Sequence, residues 1–211
     1  MDKDKFLDEI IFGWIKRDLE RMIYEVPVRP GQPGNINFFI ALCVSVSMEH
    51  LGSFLLGEDG NFEKNVKEYI DKCFSNPGEY PIEILKDIYR NGLAHEFFPR
   101  GAVSRAGERP TIFVDDKIGI VLDAQTFAKD FLDSLDKFKT ELDNAKYDQR
   151  MQQIKQKVRN WQAEHKSIID NLPKKSVASI STNTSTSSAT SEGPSIPPPV
   201  SIPPGDEDKE A

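Results

Sequence analysis

The feature that most constrains the fold is a nearly continuous apolar stretch from Ile36 to Leu56. It is long enough to cross a membrane as a single helix. Glu49 and His50 lie toward the end of this window, however, and a carboxylate inside lipid costs several kcal/mol. We therefore predict that the stretch is the central core helix of a globular bundle and not a membrane span.

Composition agrees with one globular domain. A chain of 211 residues with 38% hydrophobic residues can bury one sizeable core. The formal net charge of −7 argues against broad, salt-driven coating of nucleic acid, which needs a basic face, but it permits a small phosphate site. Cys43 and Cys73 have no metal-binding or redox spacing, and no apolar segment follows a basic N-terminus. We expect a cytoplasmic protein with reduced thiols.

Helical periodicity predicts further helices around the core helix. Apolar residues at helical spacing indicate a first helix over residues 3–25 and a third helix from Phe62 to Phe74, which Asn61 caps. A fourth helix begins near Pro81 and stops at Pro99, because proline has no amide to donate.

The pattern after the fourth helix predicts a small β element followed by a long helix. Apolar runs at 111–114 and 118–122, separated by a polar turn, predict a β-hairpin. Residues 101–109 are expected to form a mobile loop or an edge strand. From Ala124 a long helix begins, and its apolar positions become sparse beyond Leu142.

These elements predict a mainly α fold in three parts. Residues 1–142 form a helical bundle with the β-hairpin near 111–122 as an insertion, and residues 143–172 form an extended polar helix that packs on the body, projects, or meets a partner. Residues 173–211 are rich in Ser, Thr and Pro and cannot bury enough apolar surface to offset their chain entropy. We predict a disordered tail, which is either solubilising or a binding segment for a partner protein.

The candidate site lies on the fourth helix, at Arg90, Asn91 and His95. Asn91 and His95 are four residues apart and therefore share a face, while Arg90 is long enough to reach the same hollow. An imidazole can take and return a proton near neutral pH, and a guanidinium binds phosphate oxygens through parallel donors. Together these side chains can bind and cleave a phosphodiester.

The sequence Arg90-Asn91-x-x-x-His95 resembles the signature of HEPN domains, an arginine followed after four to six residues by a histidine. HEPN domains are small helical bundles, and many are dimeric, metal-independent ribonucleases; the resemblance covers roughly residues 1–150. It implies that His95 acts as general base or acid on the 2′-hydroxyl and the leaving 5′-oxygen. It also implies that Arg90 neutralises phosphate charge, that Asn91 orients one of the reacting groups, and that two protomers place their fourth helices in one cleft. Nothing nearby resembles a cluster of metal ligands, and no cofactor is expected.

Two observations leave alternatives open. A second match, Arg159-Asn160 with His165, lies in the polar part of the last helix, where surface solvation is the simpler interpretation. We prefer the first match because it lies on a packed scaffold that can hold geometry. The first match could instead be structural, with Arg90 pairing with a nearby carboxylate at the helix end.

Other polar residues are candidates for accessory roles. Glu49 and His50 could complete the site if the core helix faces the fourth helix, or they could simply be an exposed helix end. Arg100, Arg105 and Arg109 make the segment after the motif locally basic, so it could guide an RNA backbone or be a solvated loop.

The function that the sequence predicts is a HEPN-like, metal-independent RNA endonuclease, with a toxin or defence role as is frequent in that family. One alternative is a non-catalytic helical module that binds protein through its C-terminal helix or tail. Another is a nucleotide-sensing domain that binds phosphate without cleaving it.

Overall fold

The structure is a computed structural model that describes residues 1–27, 36–92, 101–104, 106–107 and 109–172. The chain divides into a body, Met1–Ile169, and a C-terminal segment, Asp170–Ala211. The predicted disordered tail lies outside the described residues. The described part is mainly helical with one small sheet, which confirms the predicted fold class.

The first helix, α1, is one helical run with an unusual middle. It is α-helical over Lys3–Lys5, π-helical over Phe6–Lys16 and α-helical again over Arg17–Tyr24. The predicted helix is therefore confirmed, but its central turns are wider than predicted. Gly13 permits this winding, because a Cβ there would lie 2.8 Å from the carbonyl oxygen of Asp8. The spacing of apolar residues does not reveal such a local change of winding.

The apolar stretch forms the core helix α2, Asn37–Leu56, as predicted. It ends at Gly57, whose φ of 76° is the left-handed conformation that glycine adopts readily. Among the described residues it is the one helix long and apolar enough to cross a membrane, with a mean hydropathy of 1.7. Because 56% of that window is buried inside the protein, the helix has the surroundings of a globular core.

Helices α3 and α4 flank the core helix. Helix α3 spans Phe62–Cys73, and Asn61 caps it by accepting a hydrogen bond from the amide of Lys64 at 2.9 Å, as predicted. A short 3₁₀ turn follows at Pro77–Glu79. Helix α4 then comprises an α-helical turn, Ile82–Ile84, and a π-helical segment, Leu85–Arg90.

The β element is a three-stranded sheet with the order β1-β3-β2. Strands β2, Ile112–Asp115, and β3, Gly119–Asp123, form the predicted antiparallel hairpin. Strand β1, Ala102–Ser104, pairs in parallel with β3, so the edge-strand alternative for this segment is correct. The sheet thus connects the residues after α4 to the start of the next helix.

The C-terminal part contains three helices where one long helix was predicted. Helix α5, Ala124–Glu141, ends at the buried, extended Leu142, and α6, Asn144–Glu164, begins after Asp143, whose carboxylate caps it. A last turn, α7, spans Lys166–Asp170. The single long helix was therefore wrong, because the chain becomes extended at Leu142 and Asp143 caps a new helix.

The first half of α6 belongs to the body instead of projecting as a separate polar helix. Tyr147 is 1% exposed, and its hydroxyl donates to the carbonyl oxygens of Met1 and Asp2 at 3.2 and 3.0 Å. Arg150 is also buried, and its guanidinium donates to Ser53 Oγ at 2.9 Å and to Asp59 Oδ1 at 2.8 Å. A buried arginine therefore joins α6 to the end of the core helix.

We expect Arg150→Ala to lower the free energy of unfolding by about 1–3 kcal/mol, because it removes charge-assisted hydrogen bonds inside the body. The loss stays moderate because Asp59 remains partly exposed and keeps its ion pair with Lys157. Urea unfolding followed by circular dichroism measures the change. The control is Arg159→Ala on the exposed part of the same helix, expected within about 0.5 kcal/mol of wild type. Equal losses in both variants would contradict an anchoring role for Arg150.

Candidate functional site

Arg90 and Asn91 lie together in the last described turn of the fourth helix. Nη1 of Arg90 is 3.4 Å from Oδ1 of Asn91. The turn before them is fixed by packing, because Leu85 and Tyr89 are fully buried. The hydroxyl of Tyr89 also donates to the carbonyl oxygen of Ala102 at 3.2 Å, which ties α4 to β1. The polar pair therefore follows a well-packed turn of the helix.

Glu49 reaches this pair from the core helix. Its Oε2 lies 3.4 Å from Nη2 of Arg90, and both side chains are 26% exposed. The core helix therefore faces the fourth helix here, and Glu49 is part of the cluster and not merely an exposed helix end. This pair also shows that Arg90 has a carboxylate partner outside its own helix.

The ring of Phe62, at the start of α3, also contacts Arg90. The guanidinium carbon of Arg90 lies 5.8 Å from the ring centroid, within the range of a cation–π contact. Three helices thus hold one half-buried cation. A guanidinium carries five donors, and at 3.4 Å its contacts with Glu49 and Asn91 are long for charge-assisted hydrogen bonds. The cluster formed by Arg90, Asn91 and Glu49 brings a cation, an amide and a carboxylate from two helices to one half-buried position.

His50 does not share the position of its neighbour Glu49. Its ring meets the ring of Phe54 edge-on, with the centroids 5.1 Å apart. The pKa of His50 is lowered from its ordinary value, first by the desolvating effect of the surrounding protein and second by the positive charge of Arg150. These contacts lie on the α6 side of the core helix, so the structure separates His50 from Glu49 although the two are adjacent in sequence.

Arg109 is held by two carboxylates. Its Nη1 lies 2.5 Å from Glu79 Oε2 and its Nη2 lies 2.5 Å from Asp130 Oδ1. The hydrogen bond with Asp130, more than any other effect, raises the pKa of Arg109 above its ordinary value. Arg109 is 45% exposed, so its side chain is in contact with solvent, and its guanidinium also ties this part of the chain to α5. Its expected contact with RNA stays a prediction that this geometry does not favour, since a phosphate would have to displace one carboxylate.

The remaining candidates of the first motif lie outside the described residues. These are His95, which the sequence predicts to lie on the fourth helix, and Arg100 and Arg105 in the segment after it. Their proposed roles in proton transfer and backbone guidance stay predictions.

The second match is on the exposed end of α6. His165 is the residue that ends this helix, and its Nδ1 lies 2.9 Å from the carbonyl oxygen of Trp161. The rings of His165 and Trp161 are stacked with centroids 4.7 Å apart. Asn160 accepts a hydrogen bond from Gln156 at 2.7 Å on an exposed face. These contacts are typical of a helix end and its surface.

Sequence reasoning missed one polar residue of the body, Asp123. It is fully buried at the end of β3, where Oδ1 accepts from the amide of Thr126 at 2.8 Å and caps α5. Its Oδ2 accepts from Ser104 Oγ at 2.9 Å and from the amides of Ala106 and Gly107 at 2.6 and 3.1 Å. An acidic residue three positions before a threonine at the start of a helix is a capping signal that could have identified it.

Comparisons with models of protein families, with curated proteins and with solved structures find no match to this chain. Among the described residues there is also no group of three or more His, Cys, Asp or Glu side chains that could hold a metal ion.

Proposed function

We propose that this protein is a HEPN-like, metal-independent RNA endonuclease whose working groups are Arg90, Asn91 and His95. The observation that supports the proposal is the convergence of Arg90, Asn91 and Glu49 on a packed scaffold, which places a half-buried guanidinium beside the amide that follows it in the motif. In this proposal the protein is a cytoplasmic homodimer with a toxin or defence role. It needs no cofactor.

The proposed reaction is a transesterification within the RNA strand. His95 takes the proton of the 2′-hydroxyl, and the 2′-oxygen forms a bond to phosphorus while the bond from phosphorus to the 5′-oxygen breaks. The imidazolium of His95 returns the proton to the leaving 5′-oxygen, so the products carry a 2′,3′-cyclic phosphate and a 5′-hydroxyl and His95 is neutral again. Arg90 neutralises charge that develops on the phosphate oxygens, and Glu49 and Asn91 hold its guanidinium in place.

Cleavage of varied RNAs in EDTA tests the proposal with four proteins: wild type, Arg90→Ala, His95→Ala and His165→Ala. We expect the first two variants to lose at least about 100-fold in rate, the usual contribution of a general acid or base or of one charge-stabilising donor. His165→Ala should cleave like wild type, because its imidazole lies at the end of α6. Circular dichroism checks that each variant is folded.

Three outcomes would change the assignment. Unchanged cleavage in His95→Ala would overturn the proposed site, and loss only in His165→Ala would transfer it to the second match. RNA binding without cleavage by the wild type, weakened by salt and by Arg90→Ala, would favour the nucleotide-sensing alternative.

A non-catalytic interaction module is the second candidate function, and the exposed half of α6 favours it. Val158 and Trp161 on α6 and Ile168 on α7 are all exposed and follow one another at spacings of three and seven residues. Such a narrow apolar stripe is typical of a seam between paired helices. RNA-independent capture of a partner that requires Trp161, with no cleavage by the wild type, would support this function instead.

A further inference from the structure

Strand β2 is an edge of the sheet, because β3 lies on one side of it and no described strand lies on the other. The amide of Asp123 donates to the carbonyl oxygen of Thr111 at 2.8 Å, so these two opposite residues are hydrogen-bonded. Hydrogen-bonded and non-hydrogen-bonded pairs alternate along an antiparallel ladder. Phe113 therefore bonds to β3, and the backbone N–H and C=O groups of Ile112 and Val114 point away from it.

The outward groups of β2 are accessible to a partner. Val114 is 73% exposed, the highest value among the large apolar residues that the structure describes. Among the described backbone hydrogen bonds, none joins Ile112 or Val114 to a loop or a helix. An unpaired edge is a template for a further strand, and many proteins bind extended peptides in this way. The edge therefore specifies an extended occupant, because a helix has already paired most of its own backbone groups.

An apolar groove with a volume of about 310 Å³ lies beside the same strand. Strand β2 contributes Ile112, Phe113 and Val114 to its lining, and the start of α4 contributes Pro81 and Ile84. The volume is at the lower end of the range for ligand pockets, about 300–1,000 Å³, so it suits individual apolar side chains of a peptide. Every second residue of an added strand faces the same side. The edge and the groove together therefore fit a segment with apolar residues at every second position.

The charges around the groove favour a basic segment. Glu79 lines the groove, and Glu83 and Asp115 are each next in sequence to a lining residue. Arg109 also adjoins the lining, but its guanidinium is already held by Glu79 and Asp130. The rim of the groove therefore has a negative field, which attracts lysine or arginine side chains.

The same charges argue against other occupants. An anionic membrane or a nucleic acid would be repelled by the acidic rim, and neither has backbone groups that continue a β ladder. A second copy could pair its own β2 with this edge, but it would bring the same carboxylates to the contact, and each chain carries a net charge of −7. Asp116 and Lys117 in the adjoining turn offset each other and do not change this balance.

We propose that the outer edge of β2 binds an extended basic segment of a partner protein, in which apolar residues alternate with lysine or arginine. The backbone of the segment pairs with the N–H and C=O groups of Ile112 and Val114. Its apolar side chains enter the groove, and its cations lie near the carboxylates of the rim. No step of the proposed nuclease function uses this edge, so the two proposals are tested separately.

Amide hydrogen exchange of the full chain, followed by NMR, tests this proposal. The probe is a pool of eight-residue peptides in which Val, Ile or Phe alternates with Lys. The amides of Ile112 and Val114 should exchange rapidly in the free protein, and saturating peptide should slow them by at least about tenfold. The amide of Phe113 is the internal control, because it already donates to β3 and should be protected in both states. A second pool, with Glu in place of Lys, should bind at least about tenfold more weakly.

Two variants test the edge and the groove separately. Val114→Pro removes an outward amide and no hydrogen bond to β3, so an edge strand tolerates it, and binding should weaken by at least about tenfold. Val114→Thr keeps this amide and is the matched control, which should bind nearly as well as wild type. Gly78 lines the groove, and a Cβ there would meet no atom within 4 Å. Gly78→Trp should therefore fill the groove and weaken binding at least about tenfold while the protein stays folded.

A charge reversal tests the chemistry of the partner. Glu83→Lys should weaken binding of the Lys pool and strengthen binding of the Glu pool. Glu164→Lys makes the same change of charge on the exposed end of α6, and it should alter neither.

Several outcomes would overturn the proposal. These are absence of binding by the Lys pool, binding that leaves the exchange of Ile112 and Val114 unchanged, and equal binding of the two pools. Protection of these amides in the protein alone, increasing with protein concentration, would assign the edge to a second copy instead. Absence of RNA cleavage with intact peptide binding would count against the proposed function alone.

Discussion

Replacing Gly52 with alanine is expected to lower the free energy of unfolding by about 3 kcal/mol or more, a large part of the 5–15 kcal/mol typical of a domain. Helix propensity alone predicts the opposite, because alanine is favoured over glycine within a helix by about 1 kcal/mol. The packing of α2 on α3 reverses this expectation, so that alanine destabilises the protein. A Cβ at position 52 would overlap the carbonyl oxygen of Asn65 and lie 2.6 Å from its carbonyl carbon. These are backbone atoms, so the two helices would have to move apart.

Gly78 provides the matched control for this prediction. It lies in the 3₁₀ turn, and a Cβ there would meet no atom within 4 Å. Gly78→Ala should therefore stay within about 0.5 kcal/mol of wild type in urea unfolding. If Gly52→Ala were as stable as wild type, the close backbone contact between α2 and α3 would be refuted.

Replacing Asp123 with alanine is expected to cost about 3 kcal/mol or more. The carboxylate accepts four hydrogen bonds, from the amides of Thr126, Ala106 and Gly107 and from the hydroxyl of Ser104. Its removal would leave the buried amide of Thr126 and three partly buried donors without their acceptor. It would also uncap α5 and release the chain after β1. The exposed turn residue Asp116 is the control, and Asp116→Ala should change stability by no more than about 0.5 kcal/mol.

The same carboxylate should make stability depend on pH. Burial by itself would raise the pKa of Asp123, but hydrogen bonds from Thr126, Ser104 and Ala106 lower it below the ordinary value of 3.8. Because the folded-state pKa lies below the unfolded-state pKa, the stabilisation is fully present above the unfolded value. It is lost as the pH falls below about 4 and through the folded value. Urea unfolding across this acidic range should show that the free energy of unfolding falls less steeply with pH in Asp123→Asn than in wild type. An equal pH dependence in both proteins would refute the assignment of this acid-sensitive stabilisation to Asp123.

Features that depend only on residues close together in the sequence were predictable. The apolar run of the core helix, the cap at Asn61 and the alternation of the hairpin are local patterns, and the structure contains all three. The π-helical winding of α1 and the break at Leu142 were not predicted. Both are small local departures from a continuous α-helix. The spacing of apolar residues is nearly the same with or without them, so this spacing does not predict them.

The candidate site was predictable only in part. Arg90 and Asn91 were identified because adjacent residues of a helix lie close together in any tertiary fold. Their contact with Glu49 depends on how α2 crosses α4, and the sequence left that residue open between a site role and an exposed helix end. The same packing separates His50 from its neighbour Glu49, because successive helix residues point in directions about 100° apart.

The sequence by itself determined the fold class, the core helix, the hairpin and the location of the arginine–asparagine pair, since these follow from periodicity, capping and spacing within a few residues. The tertiary structure alone decided which distant charges meet. Arg90 pairs with Glu49, Arg109 with Glu79 and Asp130, and Arg150 with Asp59. In a chain with 27 basic and 34 acidic side chains, any cation could pair with many anions. Which anion each cation meets is decided only when burial of the apolar core brings particular helices together.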